Sequence, residues 1–552
     1  MPDPSPTPLT RRAWLGRMAA PALLAAAAGT AGETPPAGRR AGSVHDIRDY
    51  GAQGDGVALD TAALQAAIDA CAPDGGTVLV PPGTFRIGTV ELRSRLRLHL
   101  AAGARLLGSA DPADYRAGRG VPPSNGNLAL LYASGAENIV IDGPGSIDGN
   151  GAKFFNGHGD NTGPGGNPAA GYFQRPHLLV FHACRGVRLR DVFLTASAYH
   201  TVRLLSCDGV MIDGVRVHSR VNKNNDGFHL SSSRHVHIAN CDVACQDDAC
   251  ALFGSCRYVT VSNCTFSTRW SVFRFGGGEA GDITVSNCVI TETYGCPIKL
   301  RAGAGTRFEN IVFSNLVLTD VTGPISIGLD SKPRRQRHGA VEPRPRGLVR
   351  NIAFRGLRAT VVATGRQHAD LPFPSEFRPG ETRTCIALNG VGDEFLENIS
   401  LSDVHVTYAG GGTAAEAAVR AVPAIAGEYF ELGTPPAYGL YARNVRGLTL
   451  HNVRFEFLEA DRRPAIVLDH VSDAGCHAVA AAGDPGAESL VRVIDSRDLL
   501  FSGSRTLGAA TSFLRAEGRE CAGIVIEGGQ IRAAEIAQTA AGAPADAVQV
   551  RA

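Results

Sequence analysis

A chain of 552 residues is past the size at which one compact core stops growing, so it builds either several domains or an elongated array. With 66 glycines and 44% apolar residues but only 6% aromatics, short strands and tight turns are favoured over long helices. The formal net charge of +1 excludes a globally basic nucleic-acid binder, while a local charged groove stays open.

At the N-terminus, Thr10-Arg11-Arg12-Ala13-Trp14-Leu15 sets a twin-arginine pair ahead of an apolar stretch from Met18 to Ala28, with small residues through Ala31 as a cleavage site. Residues 1–40 are therefore expected to be a twin-arginine export signal and linker, and the mature chain periplasmic or extracellular. No later apolar run reaches the length of about 20 residues that a membrane span needs, so none is expected in the mature protein. Thirteen cysteines show no metal-ligand spacing. Asn240-Cys241, Asn263-Cys264 and Asn287-Cys288 recur at equivalent positions, which reads as small, mostly free thiols stacked in a core.

Residues 45–110 open with the run Asp49 to Gly56. A helical pattern follows over Asp60 to Cys71, where Thr61, Leu64, Ala67 and Ile68 share a face. Strand-like runs from Gly76 to Pro81 and Leu92 to Leu100 come next. A short helix followed by strands reads as a cap on a stack of coils.

From about residue 138 a repeat becomes explicit. Alternating runs begin at Asn138, Gly186, Gly209, His235, Tyr258, Asp282 and Asn310, and the last six are 23, 26, 23, 24 and 28 residues apart. Further copies begin at Asn351, Asn398 and Gly447 at wider spacing. A unit this short cannot bury its own apolar face, so neighbours must stack, with loops inserted where the interval lengthens. The fixed leucines of a horseshoe and the longer period of a propeller are missing. The expected fold is all-β, a right-handed single-stranded parallel β-helix with a short N-terminal capping helix. Residues 41–470 form the catalytic domain in this reading, and 471–552 add coils or a C-terminal cap.

A second strand in each coil aligns by its apolar positions: Phe228 and Leu230, Cys250 and Leu252, Phe273 and Phe275, Ile298 and Leu300, Ile325 and Ile327. The residues between them, His229, Ala251, Arg274, Lys299 and Ser326, then form an outward ladder. This register stacks Asp226 on Asp248 with Asp247 beside them. Adjacent strand residues face opposite ways, so a bend just before Ala249 is needed to bring Asp247 and Asp248 to one cleft. Clustered like charges push at least one carboxyl toward its protonated form, which supplies an acid and a base for cleaving a glycosidic bond.

The pattern Asn-x-Asp at 224–226, Asp-Asp at 247–248 and Ile298-Lys299 two coils on resembles glycoside hydrolase family 28, the polygalacturonase-like members of the pectin-lyase-like β-helix superfamily. Gly145 to Gly149 and Arg175-Pro176-His177-Leu178 support it, and the likeness runs over about residues 45–460. The resemblance implies an inverting hydrolase of galacturonate-containing pectic polysaccharide or oligosaccharide. It makes Asp247 the general acid, Asp226 and Asp248 the residues that hold and activate water, and Lys299 a contact for the substrate carboxylate. Two departures bear on specificity: the family's Gly-His-Gly is replaced by Arg269 to Gly276, and its Arg-Ile-Lys by Pro297-Ile298-Lys299. Arg274 beside Lys299, or Arg301, is a replacement guanidinium suited to carboxylates.

Trp270 offers a face for a sugar ring, while His229 and Lys223 are further candidates for substrate contact and His200 a weaker one. The basic insertion from Lys332 to Gly347 suits a rim that attracts a polyanionic saccharide. Its charges are not interleaved with aromatics, which argues against nucleic acid. The insertions Val361 to Arg383 and Ala409 to Tyr438 are long enough to wall one end of a cleft and favour exo action. The expected partner is an acidic polysaccharide or oligosaccharide, acted on by a monomer with no cofactor and no metal. The alternatives are a polysaccharide lyase, whose acids would ligate calcium, and a non-catalytic carbohydrate-binding β-helix.

Overall fold

The computed structural model describes residues 43–123, 127–154, 175–331 and 345–551. The twin-arginine segment and most of the basic insertion therefore lie outside the described residues. Within them, forty-one strands join one continuous sheet, and successive coils pair strand on strand in parallel. No helix among the described residues is long and apolar enough to cross a membrane.

Helix α1 (Thr61–Cys71) buries Ala63, Leu64, Ala67, Ile68 and Cys71 against the first strands, Val44–Asp46 and Gly76–Val80. Thr61, half-buried at the first helical position, accepts through its hydroxyl from the amide of Gly88 at 2.8 Å. Asp60, at the N-cap position, accepts from the amides of Gln53 and Gly54 at 2.7 and 3.2 Å and fixes the glycine-rich entry.

Each coil turns corners at residues that must adopt the left-handed conformation. Asn240, Asn263, Asn287 and Asn315 all have φ between 54° and 56°, a region where asparagine is enriched because its short polar side chain bonds locally. Their amides also stack: Nδ2 of Asn287 donates to Oδ1 of Asn263 at 3.3 Å, and Asn315 to Asn287 at 3.2 Å. The recurring Asn-Cys pairs are thus a corner followed by an inward residue. All thirteen cysteines are buried free thiols.

Six strands carry the functional face: β1 (Val202–Leu205), β2 (Phe228–Ser231), β3 (Cys250–Phe253), β4 (Phe273–Gly276), β5 (Ile298–Gly303) and β6 (Ile325–Asp330). Their pairing places Phe228, Cys250, Phe273, Ile298 and Ile325 in one interior column, each 0% exposed. The opposite face aligns Arg203, His229, Ala251, Arg274, Lys299 and Ser326. This is the register that the apolar alternation predicts. The outward ladder is covered, however: Arg203, His229, Arg274 and Lys299 are at most 7% exposed. Glu428, from an insertion after a later coil, meets Arg274 and Lys299, whereas His229 packs against His200 and Phe253 on the adjoining coils. Parallel pairing continues past residue 471, through Val491–Ile494 and Ala510–Glu517 to Val548–Arg551.

Candidate active site

Asp226 precedes β2, and Asp247 and Asp248 precede β3, where the chain leaves strand geometry between Cys245 and Cys250. The amides of Gln246 and Asp247 both donate to the carbonyl of Asn225, at 3.3 and 3.2 Å, which bends the chain at the point where strand alternation would separate the two acids. Gly227 makes this approach possible: a Cβ there would lie 2.5 Å from the carbonyl oxygen of Ala249. The three carboxyls of the sequence motif are thereby held on neighbouring coils, Asp226 at 5% and Asp248 at 7% exposure, with Asp247 the more open.

Asp247 faces a cleft of about 240 Å³. Its Oδ2 accepts from Nδ2 of Asn224 at 3.0 Å and its Oδ1 from the amide of Asp248 at 2.9 Å, so its orientation is fixed. Lys223, Gln246, Arg269 and Trp270 line the same cleft. Its far wall comes from the insertion after Val361, as Phe373, Pro374, Ser375, Glu376 and Arg378. That insertion is tied down by Arg220, whose Nη1 donates to Asp370 at 3.0 Å, and by Arg269, whose Nη2 donates to the carbonyl of Glu376 at 2.6 Å.

Burial, then repulsion from Asp247 and Asp248, raises the Asp226 carboxyl well above its ordinary range. Burial and the neighbouring Asp247 push Asp248 up to about 7, against the pull of Lys299 and Arg274. Asp247 is raised by burial, with Lys299 and the Asn224 bond limiting the rise. One Asp248 oxygen, Oδ1, is buried with no hydrogen-bonding partner among the described residues, which favours its neutral form. Three carboxyls this close lose their protons in steps that belong to the cluster. Burial and mutual repulsion thus favour retention of a proton by the cluster.

His229 lies beneath the acids. Its Nδ1 is 2.6 Å from Oδ2 of Asp226, and its ring stacks between His200, at 4.2 Å, and Phe253, at 5.2 Å. Burial and then Arg203 push its pKa down to about 3, so the ring is neutral. A neutral ring in this contact shares one proton with Asp226. His229, 6% exposed, is thus a buried support for Asp226. His200, Asp226 and His229 bring one donor atom each within 4.8 Å of the others and are the described residues whose geometry suits a metal ion. The charge of Arg203, which opposes the rise of Asp226 and adds to the fall of His229, disfavours a cation there.

The cations sit on the next two coils. Nζ of Lys299 lies 4.2 Å over the Trp270 ring. Lys299 is 1% exposed and Arg274 7%. Both, with Arg301, converge on Glu428 from the insertion after Gly410: Lys299 at 3.0 Å, Arg274 at 3.3 Å and Arg301 at 2.6 Å. Burial would raise Glu428, but the three cations, Lys299 first, hold it down to about 2. Sequence reasoning missed Glu428, Asn224 as a clamp on Asp247, and the wall from Phe373 to Arg378. Only the length of the two insertions hinted at the first and last.

The family model for Glycosyl hydrolases family 28 matches residues 77–369. An Exo-poly-alpha-D-galacturonosidase of Dickeya chrysanthemi is 30% identical over 337 residues, 50% of this chain and 55% of that protein. A protein of Arabidopsis thaliana named as a probable polygalacturonase is 28% identical over 331 residues, 57% of this chain and 70% of its own length. Among solved structures, the family 28 exopolygalacturonase of Yersinia enterocolitica superposes with a TM-score of 0.59 at 21% identity, covering 79% of this chain and 78% of the other. At that identity the superposition speaks for the β-helix fold.

Proposed function

The chain belongs to glycosyl hydrolase family 28, and from that premise we propose that it hydrolyses α-linked galacturonate-containing pectic chains or oligosaccharides with inversion. Asp247 is the general acid, and Asp226 and Asp248 hold and polarise the attacking water. The observation that carries this reading is the division of the three acids: Asp247 lines the open cleft, while Asp226 and Asp248 sit buried behind it. An inverting mechanism needs a water between the acid and the base, with carboxyls roughly 6.5–9.5 Å apart. The proton retained by the cluster is delivered by the member that reaches the glycosidic oxygen, which is Asp247. Ionised Asp226 or Asp248 then takes a proton from the water as it attacks the anomeric carbon, and the glycosidic bond breaks. His229 keeps the Asp226 carboxyl oriented, and Trp270 supplies a ring face for a sugar.

Galacturonate as the sugar is supported by the relatives' names, a polygalacturonase and an exo-acting galacturonosidase, and by Lys223 and Arg378 on the cleft. The wall from Phe373 to Arg378 closes one side of the cleft, which suits removal of units from a chain end. A panel of pectic oligosaccharides incubated with the wild type and with Asp247→Asn tests the proposal. Wild-type cleavage is expected to release saturated sugars, and the variant to lose about 10²–10⁴-fold in turnover. Unchanged turnover in the variant would overturn the assignment. A chelator-sensitive, unsaturated product would instead identify a lyase.

A further inference from the structure

Lys299, Arg274 and Arg301 form a seat for one carboxylate, and this chain fills it with its own. Glu428 lies outside the span that matches the family and is brought in by the insertion between Gly410 and Leu440. Its placement is rigid. The Glu428 amide donates to Glu431 at 2.6 Å, closing the start of the short helix Tyr429–Leu432. The Tyr429 hydroxyl donates to the carbonyl of Tyr294 at 3.0 Å and to buried Glu381 at 3.1 Å. A Cβ at Gly380 would meet the Phe430 carbonyl oxygen at 1.8 Å, so the two insertions are packed backbone to backbone. Glu428 is therefore held as a wall residue.

We propose that Glu428 is a built-in substitute for a sugar carboxylate, which makes the subsite beside Trp270 selective for a sugar ring without a carboxylate at that position. The proposal rests on the family 28 reading above and deepens it. Guanidinium groups bind a carboxylate through a fixed fork and an ammonium binds it as a point charge, both by charge-assisted bonds; with Glu428 in place, a uronate carboxyl entering the seat meets a like charge. The acidic unit of the substrate is held elsewhere along the same cleft, which half-buried Lys223 and exposed Arg378 line together with Asp247. The substrate class that follows is a pectic chain in which the ring beside Trp270 is a neutral or carboxyl-esterified sugar.

Glu428→Ala opens the seat and removes the carboxylate that Lys299, Arg274 and Arg301 share. Its melting temperature is expected to fall, and galacturonate is expected to restore it, because a ligand that binds only the folded chain stabilises it by mass action. Added galacturonate should bind the variant about tenfold or more tighter than the wild type, as one new charge-assisted carboxylate contact implies. Lys299→Met in the same variant should abolish that gain. On substrates, Glu428→Ala should shift preference from esterified toward free-acid oligogalacturonide by a similar factor, carried by KM. Glu428→Gln, which keeps the shape but not the charge, should show the same direction more weakly and covers the case in which the alanine variant does not fold. Equal galacturonate binding by wild type and both variants would overturn the proposal. Because binding and melting need no turnover, failure of the seat is separable from failure of the hydrolase reading, which would show as no cleavage of any pectic substrate by the wild type.

Discussion

Replacing Asp248 by asparagine should stabilise the protein at neutral and alkaline pH while removing activity. In the folded chain burial and Asp247 raise this carboxyl from 3.8 to about 7. Between those values the folded state binds more protons than the unfolded one, so stability falls as pH rises through the window, and the whole cost is present above it. At 1.36 kcal/mol per pH unit the difference corresponds to roughly 4 kcal/mol. For a chain of this length, with an unfolding entropy of about 1 kcal/mol/K, that is about 4 °C in Tm. Melting curves of wild type and Asp248→Asn, paired at pH 4 and pH 8, read the effect directly. The two should nearly coincide at pH 4, with the variant about 4 °C higher at pH 8 and its turnover down by about 10²-fold or more. A variant that melts below the wild type at pH 8 would refute the reasoning, because it would mean that the Asp248 charge is stabilised by its surroundings.

Lys299→Met removes the charge that favours ionisation of both Asp247 and Asp248, so both limbs of the kcat/KM pH profile should move to higher pH, by about one unit for an opposite charge at this range; an unmoved profile would separate Lys299 from the acids. His229→Ala takes away the partner of Asp226 Oδ2 and should lower kcat by about 10–100-fold with KM little changed. A His229→Gln variant that retains a polar group toward Asp226 should recover part of the loss. A change in KM alone would place His229 in substrate binding instead.

The register of the coils was legible because inward side chains repeat every second residue and must stack on the coil below. Phe228, Cys250, Phe273, Ile298 and Ile325 align on their apolar alternation alone, and the structure pairs them in that order. The bend before Ala249 followed from the same alternation, since no straight strand turns two consecutive acids to one side. Asparagine at the corners was visible as a repeat, although its cause, the left-handed φ, was not named by the pattern. Burial of the outward ladder was not legible. For Lys299 and Arg274 it involves chain that returns from far away: Glu428 is 129 residues from Lys299 and 154 from Arg274. An insertion shows its length and charge in sequence, but nothing local says which face it covers. His229 illustrates the limit, because alternation set its direction correctly while its contacts with Phe253 and Asp226 made it a buried support.

In the proposed mechanism Asp247 protonates a glycosidic oxygen while a water, held by Asp226 and Asp248, attacks the opposite face of the sugar. Proton NMR of a fresh digest of an α-linked pectic oligosaccharide by the wild-type enzyme tests it most directly, read before mutarotation. The new reducing end should appear first as the β anomer. First appearance of the α anomer, or of an unsaturated uronate, would contradict the mechanism.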